Sequence, residues 1–255
     1  MMESKVQSID RMFDIIELLS REQDGLGLTE IAARVDLPKS TVFRLLDSVK
    51  KRGYVEKTAA QDRYRLGLSF VELCGMYLNS LELKTESLPF LRDLAAATGR
   101  TTFLAIRDGL DVVYIDRIER HSDLRKYSII GQRVPLHCTA LGKSLLLGMT
   151  EEKIRDLYRN QPMRRKGPRS RSDLESLLAE LTSARPRGWT YDDEEAMADV
   201  RCAAAPIKDY RGDVIAAVSV SWIIKEAPGM DGKQYAPQVV AAARSISRRM
   251  GCAAY

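Results

Sequence analysis

Apolar residues at Val6, Ile9, Met12, Phe13, Ile16 and Leu19 recur at helical spacing and predict an amphipathic helix that ends near Gly25. A second, short helix is expected over residues 28–35, capped by Thr29, with Ile31, Ala32 and Val35 turned inward. Asp36-Leu37-Pro38 breaks that pattern, and Pro38 suits the first position of a third helix running to Arg52 and closed by Gly53. In this helix Val42, Leu45, Leu46 and Val49 make a buried stripe. Lys39, Ser40, Thr41 and Arg44 fall near its N-terminal end and on the other side. A period of two then takes over. Residues 54–57 and 63–66 read as short strands joined by a polar turn.

Beyond this point Leu68, Val71, Leu73, Leu78 and Leu81 place an apolar side on a helix over 68–81. Such a side either meets a second copy or folds back on the first helices. Another amphipathic helix covers 88–97 and stops at Gly99. Strands are expected at 101–107 and 112–117 around the hairpin signal Asp108-Gly109, then at 188–192, 202–209 and 214–222. Helices are expected at 140–148, 151–159, 173–184 and 231–250. Strands and helices mixed in this way, with hairpins, predict an α+β domain on an antiparallel sheet. A chain of 255 residues exceeds the usual domain size of roughly 100–150. The expected organisation is a winged helix-turn-helix over 1–66 (three helices plus a β-hairpin wing), a linker helix over 67–83, and a larger domain over 84–255.

Charge changes the picture because it is localised. Residues 1–38 carry 4 basic and 8 acidic side chains, whereas residues 39–66 carry 8 and 3. The basic excess therefore sits on the third helix and the hairpin, which suits a polyanion. A recognition helix needs apolar residues that lock it to a scaffold and first turns that face the major groove of double-stranded operator DNA. Lys39, Ser40, Thr41 and Arg44 supply the latter, and Lys57, Arg63 and Arg65 on the hairpin could reach the adjacent backbone. The four cysteines lie far apart without a C-x-x-C pair, and His121 and His137 are the only imidazoles. This argues against a disulfide framework, and no metal or cofactor is expected. No apolar run approaches the roughly 20 residues of a membrane span, and residues 1–20 carry four scattered acidic side chains, so a cytoplasmic protein with no membrane contact is expected.

Candidate chemistry in the larger domain centres on the run 214–222. Ile215, Ala217, Ser219 and Ser221 share one face, so two hydroxyls mark one polar spot on an apolar strand. Either that spot belongs to a pocket or the strand lies at a solvated edge. The turn 135–139 leads into a helix at Ala140-Leu141-Gly142-Lys143, whose amides could hold an anion and whose glycine permits close approach. Together these predict a small carboxylate ligand. Cys202, His137 and Asp192 could be arranged as nucleophile, base and orienting acid, but no nucleophile elbow or phosphate-binding loop accompanies them and no enzyme is expected. The basic stretch Arg164-Arg165-Lys166, with Arg169 and Arg171, reads as a solvated loop or a DNA contact.

The chain resembles the isocitrate-lyase-regulator (IclR) family of bacterial transcription factors. The motifs that carry the resemblance run from end to end: LPKSTVFRLL at 37–46, RGYV at 52–55, YRLG at 64–67, and Gly109 with VVYIDR at 112–117. GQRVPLHCTALGK at 131–143, DEE at 193–195 and RCAAAP at 201–206 follow. The resemblance implies a GAF-like effector domain, assembly as a homodimer or a dimer of dimers, and control of operons for small-molecule catabolism. It also implies effector contacts at Ala140, Leu141, Asp192, Cys202, Ser219 and Ser221, with Leu124 and Tyr127 on the apolar wall. Asp192, in an Asp-Asp-Glu-Glu run, would otherwise read as part of a solvated acidic loop. Two departures from the family pattern lie near the expected pocket: Ala198-Asp199 stands where a glycine is usual, and so does Trp222. The expected function is a ligand-responsive DNA-binding regulator whose effector is a small carboxylate or aromatic acid. The alternative is a ligand-independent regulator whose C-terminal domain serves only oligomerisation.

Overall fold

Ile15 and Leu19 of the first helix close, with Leu26, Ile31, Val42, Leu46, Val55 and Tyr64, the core of the N-terminal part of the chain. The computed structural model describes residues 6–58, 62–80, 82–119 and 130–253, and the side chains of 77–80 are not described. Leu124 and Tyr127 lie outside the described residues. The chain divides into two compact units, Met1–Ser80 and Leu81–Tyr255.

In the first unit α1 (Gln7–Ser20), α2 (Leu28–Arg34) and α3 (Lys39–Lys50) pack against a sheet of β1 (Leu26–Gly27), β2 (Val55–Thr58) and β3 (Arg63–Leu66). Its order is β1-β3-β2 and both pairings are antiparallel. The two-residue strand β1 was not expected. It pairs Leu26 with Tyr64 and Gly27 with Arg63, turning the hairpin into a three-stranded wing. Two local expectations are corrected. Helix α2 is capped at Gly27, whose N–H donates to the Glu30 carboxylate at 2.7 Å, while Thr29 lies inside the helix. Pro38 is the cap before α3 rather than its first residue.

The inward stripe of α1 is also rotated from the expected one. Ile15 is fully buried, whereas Ile9 and Phe13 are more than half exposed. The helix is apolar on two sides, and only the packing of α2 and α3 decides which side turns in. Helix α4 (Ser69–Ser80) follows the wing, with Leu68, Val71, Leu73 and Met76 exposed. Phe70 reaches back, edge-on to Tyr54 with ring centroids 5.2 Å apart, and Ser69 Oγ donates to the Arg52 carbonyl at 2.9 Å.

The second unit begins with α5 (Glu82–Thr98) and then forms β4 (Thr101–Asp108), β5 (Asp111–Ile118) and β6 (Arg133–Pro135). A 3₁₀ turn at Leu136–Cys138 leads into α6 (Ala140–Leu146), and α7 (Glu151–Leu157) and α8 (Leu174–Ala184) follow. The strands β7 (Thr190–Asp193), β8 (Val200–Lys208) and β9 (Val214–Ile223) precede the last helix, α9 (Gly232–Arg249). All six strands join one antiparallel sheet in the order β6-β5-β4-β9-β8-β7. Strand β9 is therefore central, and the pair Ser219 and Ser221 does not lie at an edge: they are 1% and 4% exposed. Pleating sends Trp222 to the side of Tyr235 on α9, ring centroids 4.7 Å apart, and the serines to the side of α6. On that second side Phe103, Ala105, Leu141, Leu145, Ala204 and Ala217 join Leu177 and Leu181 of α8 in the main core.

Candidate functional site

Helix α3 is held from below by Val42 and Leu46, both fully buried. Lys39, Ser40 and Arg44 are exposed and Thr41 is half-buried, so one helix end carries cations and hydroxyls outward as a groove-reading surface requires. Phe43, 52% exposed on the same helix, was missed, although its place between Val42 and Arg44 in a 3.6-residue period already turns it away from the core. On the wing, Lys57 pairs with Asp62 at 2.5 Å and lies over the Tyr64 ring, and Arg65 pairs with Glu56 at 2.5 Å. Arg63 is engaged inside the domain. Its guanidinium donates twice to the Gly25 carbonyl, at 3.0 and 2.9 Å, and meets the Glu30 carboxylate at 3.1 Å.

Strand register builds the second site. Asp192 on β7 pairs with Cys202 on β8, which pairs with Ser221 on β9, so three side chains far apart in sequence stand in one row. The neighbouring row is Ala204, Ser219 and Phe103. With the start of α6 above them, these rows enclose a cavity of about 170 Å³ lined by Ala140, Leu141, Asp192, Cys202, Ser219 and Ser221 among others. All six described residues expected from the resemblance thus meet in one place. Phe103, Tyr114, Val134, Met197 and Val200 add apolar lining, and Lys166, itself exposed, also lines the cavity. The alternating pattern of β4 and β5 could have flagged Phe103 and Tyr114, whose rings stand edge-on 5.4 Å apart. Nothing local in the sequence marks Met197 or Lys166.

The cavity is lined by buried polar groups. Asp192 is a strand residue, 2% exposed, and its Oδ1 accepts the amides of Glu195 at 2.7 Å and Ala196 at 3.4 Å. Burial raises its pKa to about 7, against the opposing pull of Lys143. The Ser221 hydroxyl donates to the Cys202 sulfur at 3.0 Å, while Ser219 Oγ is buried without a hydrogen-bond partner. Burial pushes the Cys202 thiol well up, the opposite of what a nucleophile requires. His137 meets the carbonyl of Arg164 at 3.0 Å, and burial lowers its pKa. The nucleophile-and-base arrangement therefore has no support in the geometry.

Two features of the start of α6 serve the fold. Thr139 Oγ1 accepts the Gly142 amide at 2.9 Å, and a Cβ on Gly142 would lie 2.2 Å from the Leu136 carbonyl oxygen. The close approach that the glycine permits is to the chain's own backbone. Thr190 ties the helix down, donating to the Ala140 carbonyl at 2.6 Å and meeting Ser144 at 2.7 Å. Beneath Asp192 the fully buried Lys143 ammonium binds Glu195 at 2.6 Å and Glu180 at 2.8 Å, and Arg171 reaches Glu180 at 2.6 Å. This network was not foreseen. Lysine on an otherwise apolar helix reads as an exposed position until the acidic partners from 37 and 52 residues away are known.

Among the described residues no helix is long and apolar enough to cross a membrane, and no cluster of His, Cys, Asp and Glu could hold a metal ion. A winged helix with an outward basic helix end, joined in one chain to a sheet domain enclosing a small cavity, is the architecture of a DNA-binding transcription regulator. Residues 8–59 match the IclR helix-turn-helix domain and residues 75–248 match the bacterial transcriptional regulator IclR C-terminal domain, so the chain belongs to the IclR family. It is 35% identical to the transcriptional regulator KdgR of Dickeya chrysanthemi over 96% of this chain and 80% of that one. The crystal structure of Thermotoga maritima IclR superposes with a TM-score of 0.82 at 26% identity, covering 96% of this chain and 98% of that one. The same fold occurs in an IclR homologue from Microbacterium hydrocarbonoxydans solved with 4-hydroxybenzoate, at 23% identity and a TM-score of 0.83, over 96% of this chain and 99% of that one.

Proposed function

We propose that this regulator responds to a small organic acid bound in the sheet cavity and thereby controls an operon for small-molecule catabolism. The observation that carries this reading is the convergence of Asp192, Cys202, Ser219 and Ser221 from three strands on one cavity, with Ser219 Oγ buried and unpartnered. A buried hydroxyl without a partner costs about 1–3 kcal/mol, a cost that a polar ligand removes. A C-terminal domain serving only assembly has no use for this arrangement. That an IclR homologue of the same fold was solved with 4-hydroxybenzoate adds that the fold can hold a ring-sized acid.

Lys39, Ser40, Thr41 and Arg44 face the operator, with Lys57 and Arg65 beside them. Phe43 supplies an apolar contact of the kind made to a thymine methyl. The protein acts as a homodimer. Ile9 and Phe13 of α1, and Leu68, Val71 and Met76 at and along α4, are half exposed or more, and a second copy is the cover that two-fold operator symmetry calls for. The test is thermal stability against a broad panel of carboxylic acids, followed by operator titration with and without each hit. An acid at 100 times its Kd stabilises by about 2.7 kcal/mol, and coupling of about 1–3 kcal/mol shifts operator affinity 5- to 150-fold. A panel without hits, or hits that leave operator affinity unchanged, returns the protein to the ligand-independent reading.

A further inference from the structure

The basic stretch 164–171 is neither a free loop nor part of the DNA-facing unit. It forms a strap fixed against the rim of the cavity. The Gly167 amide donates to the Glu195 carbonyl at 2.8 Å and the Arg169 amide to that of Glu194 at 3.2 Å. Ser170 Oγ also binds the Glu195 carbonyl and accepts the amides of Lys166 and Gly167, each at 2.9 Å. Gly167 has no room for a side chain, since a Cβ would lie 2.4 Å from the Glu194 carbonyl oxygen. Arg169 pairs with Asp193, and Arg171 with Glu180. The backbone of Lys166 is thereby held in place, and the residue, itself exposed, lines the cavity.

Charge inside the cavity has the opposite order. Asp192 sits at the buried end. The cation beneath it, Lys143, is fully buried and already bound to Glu180 and Glu195. A ligand carboxylate pushed to the buried end would meet the Asp192 carboxyl, whereas at the mouth it meets an ammonium. Ser219 Oγ and the carboxyl of Asp192 suit a neutral hydroxyl, which both donates and accepts. Phe103, Tyr114 and Met197 add apolar lining. A volume of about 170 Å³ is close to the roughly 150 Å³ that holds a benzene ring.

Taking the cavity to be the effector site, we propose that Lys166 on the strap binds the anionic end of the effector at the mouth. Asp192 and Ser219 take a hydroxyl, so the site selects compact hydroxy acids. Calorimetric titration of the full-length protein with 4-hydroxybenzoate, benzoate, 4-hydroxybenzamide, 6-hydroxyhexanoate and hexanoate tests this. At least one hydroxy acid binds, about tenfold or more tighter than its counterpart lacking the hydroxyl. 4-Hydroxybenzoate is likewise favoured over the uncharged amide. Lys166→Met lowers hydroxy-acid affinity about tenfold or more and removes the preference over the amide, while Lys166→Arg keeps it. Equal binding of acids with and without the hydroxyl, affinity unmoved by Lys166→Met, or no binding by any of these probes overturns the proposal. The effector reading survives such a result if another acid from the broad panel stabilises the protein and shifts operator affinity. If none does, both fall together.

Discussion

In the N-terminal unit Lys39, Ser40, Thr41 and Arg44 stand within six residues on one helix, and their exposure follows from the helical period alone. In the C-terminal unit the cavity gathers residues from 103 to 221, carried by strands, a helix start and a strap. The first surface tolerates change, because its side chains point into solvent and Val42 and Leu46 do the packing. The second is embedded in the core. Its polar groups are held by strand pairing on one side and by the Lys143, Glu180 and Glu195 network on the other. A surface of the first kind can therefore change without cost to the fold, whereas a cavity of the second kind changes only within what the core permits.

Four substitutions break or sharpen that difference. The largest effect is expected from Lys143→Met, which leaves the buried Glu195 and the half-buried Glu180 with only Arg171 nearby and should cost about 3 kcal/mol. Both tryptophans, Trp189 and Trp222, lie in the C-terminal unit, so their fluorescence in a denaturant titration reports that unit alone. An unchanged midpoint would show the network to be dispensable. Arg44→Ala should leave stability within about 0.5 kcal/mol and weaken binding to a selected operator by about 1–3 kcal/mol, with base preference relaxed at one position. Equal weakening on all sequences would make Arg44 a phosphate contact. Arg63→Ala lies between the two regimes. Its guanidinium is bound to the Gly25 carbonyl and to Glu30, so a loss of about 1 kcal/mol from the winged helix is expected, with the salt dependence of DNA binding unaltered. A salt slope reduced by about one unit would instead place it on the DNA backbone. The smallest effect is expected from Asp199→Gly. Asp199 holds φ at +63°, a left-handed conformation that glycine adopts without a Cβ clash, so the exchange should stabilise by less than about 1 kcal/mol. A loss of stability would mean that the Asp199 side chain holds the loop.

Asp199 also explains one departure from the family pattern: the backbone there keeps the glycine-like conformation although the residue has changed. Trp222, the other, fills the space between Tyr191 and Tyr235 on the side of the sheet away from the cavity. It therefore alters the packing of α9 and not the pocket wall. Element positions were largely legible, because periodicities of 3.6 and 2 are local properties of the chain. The strands missed, β1 and β6, have two and three residues, too few to show a period. The rotated stripe of α1 was missed for a different reason, since a helix apolar on two sides carries no local mark of which side its neighbours cover.

The sequence by itself determined the winged helix, the outward basic end of α3 and the mixed sheet domain, since each follows from patterns within about 20 residues. It also marked Ser219 and Ser221 as one polar spot, because alternation along a strand is local. Only the tertiary structure decided that this spot is enclosed rather than at an edge, that Asp192 is a buried strand residue, that Arg63 serves the scaffold and that the basic stretch 164–171 brings Lys166 to the cavity. These depend on strand order, register and ion pairs between segments tens of residues apart. A side chain's environment is set by what packs against it, and no local pattern records those partners.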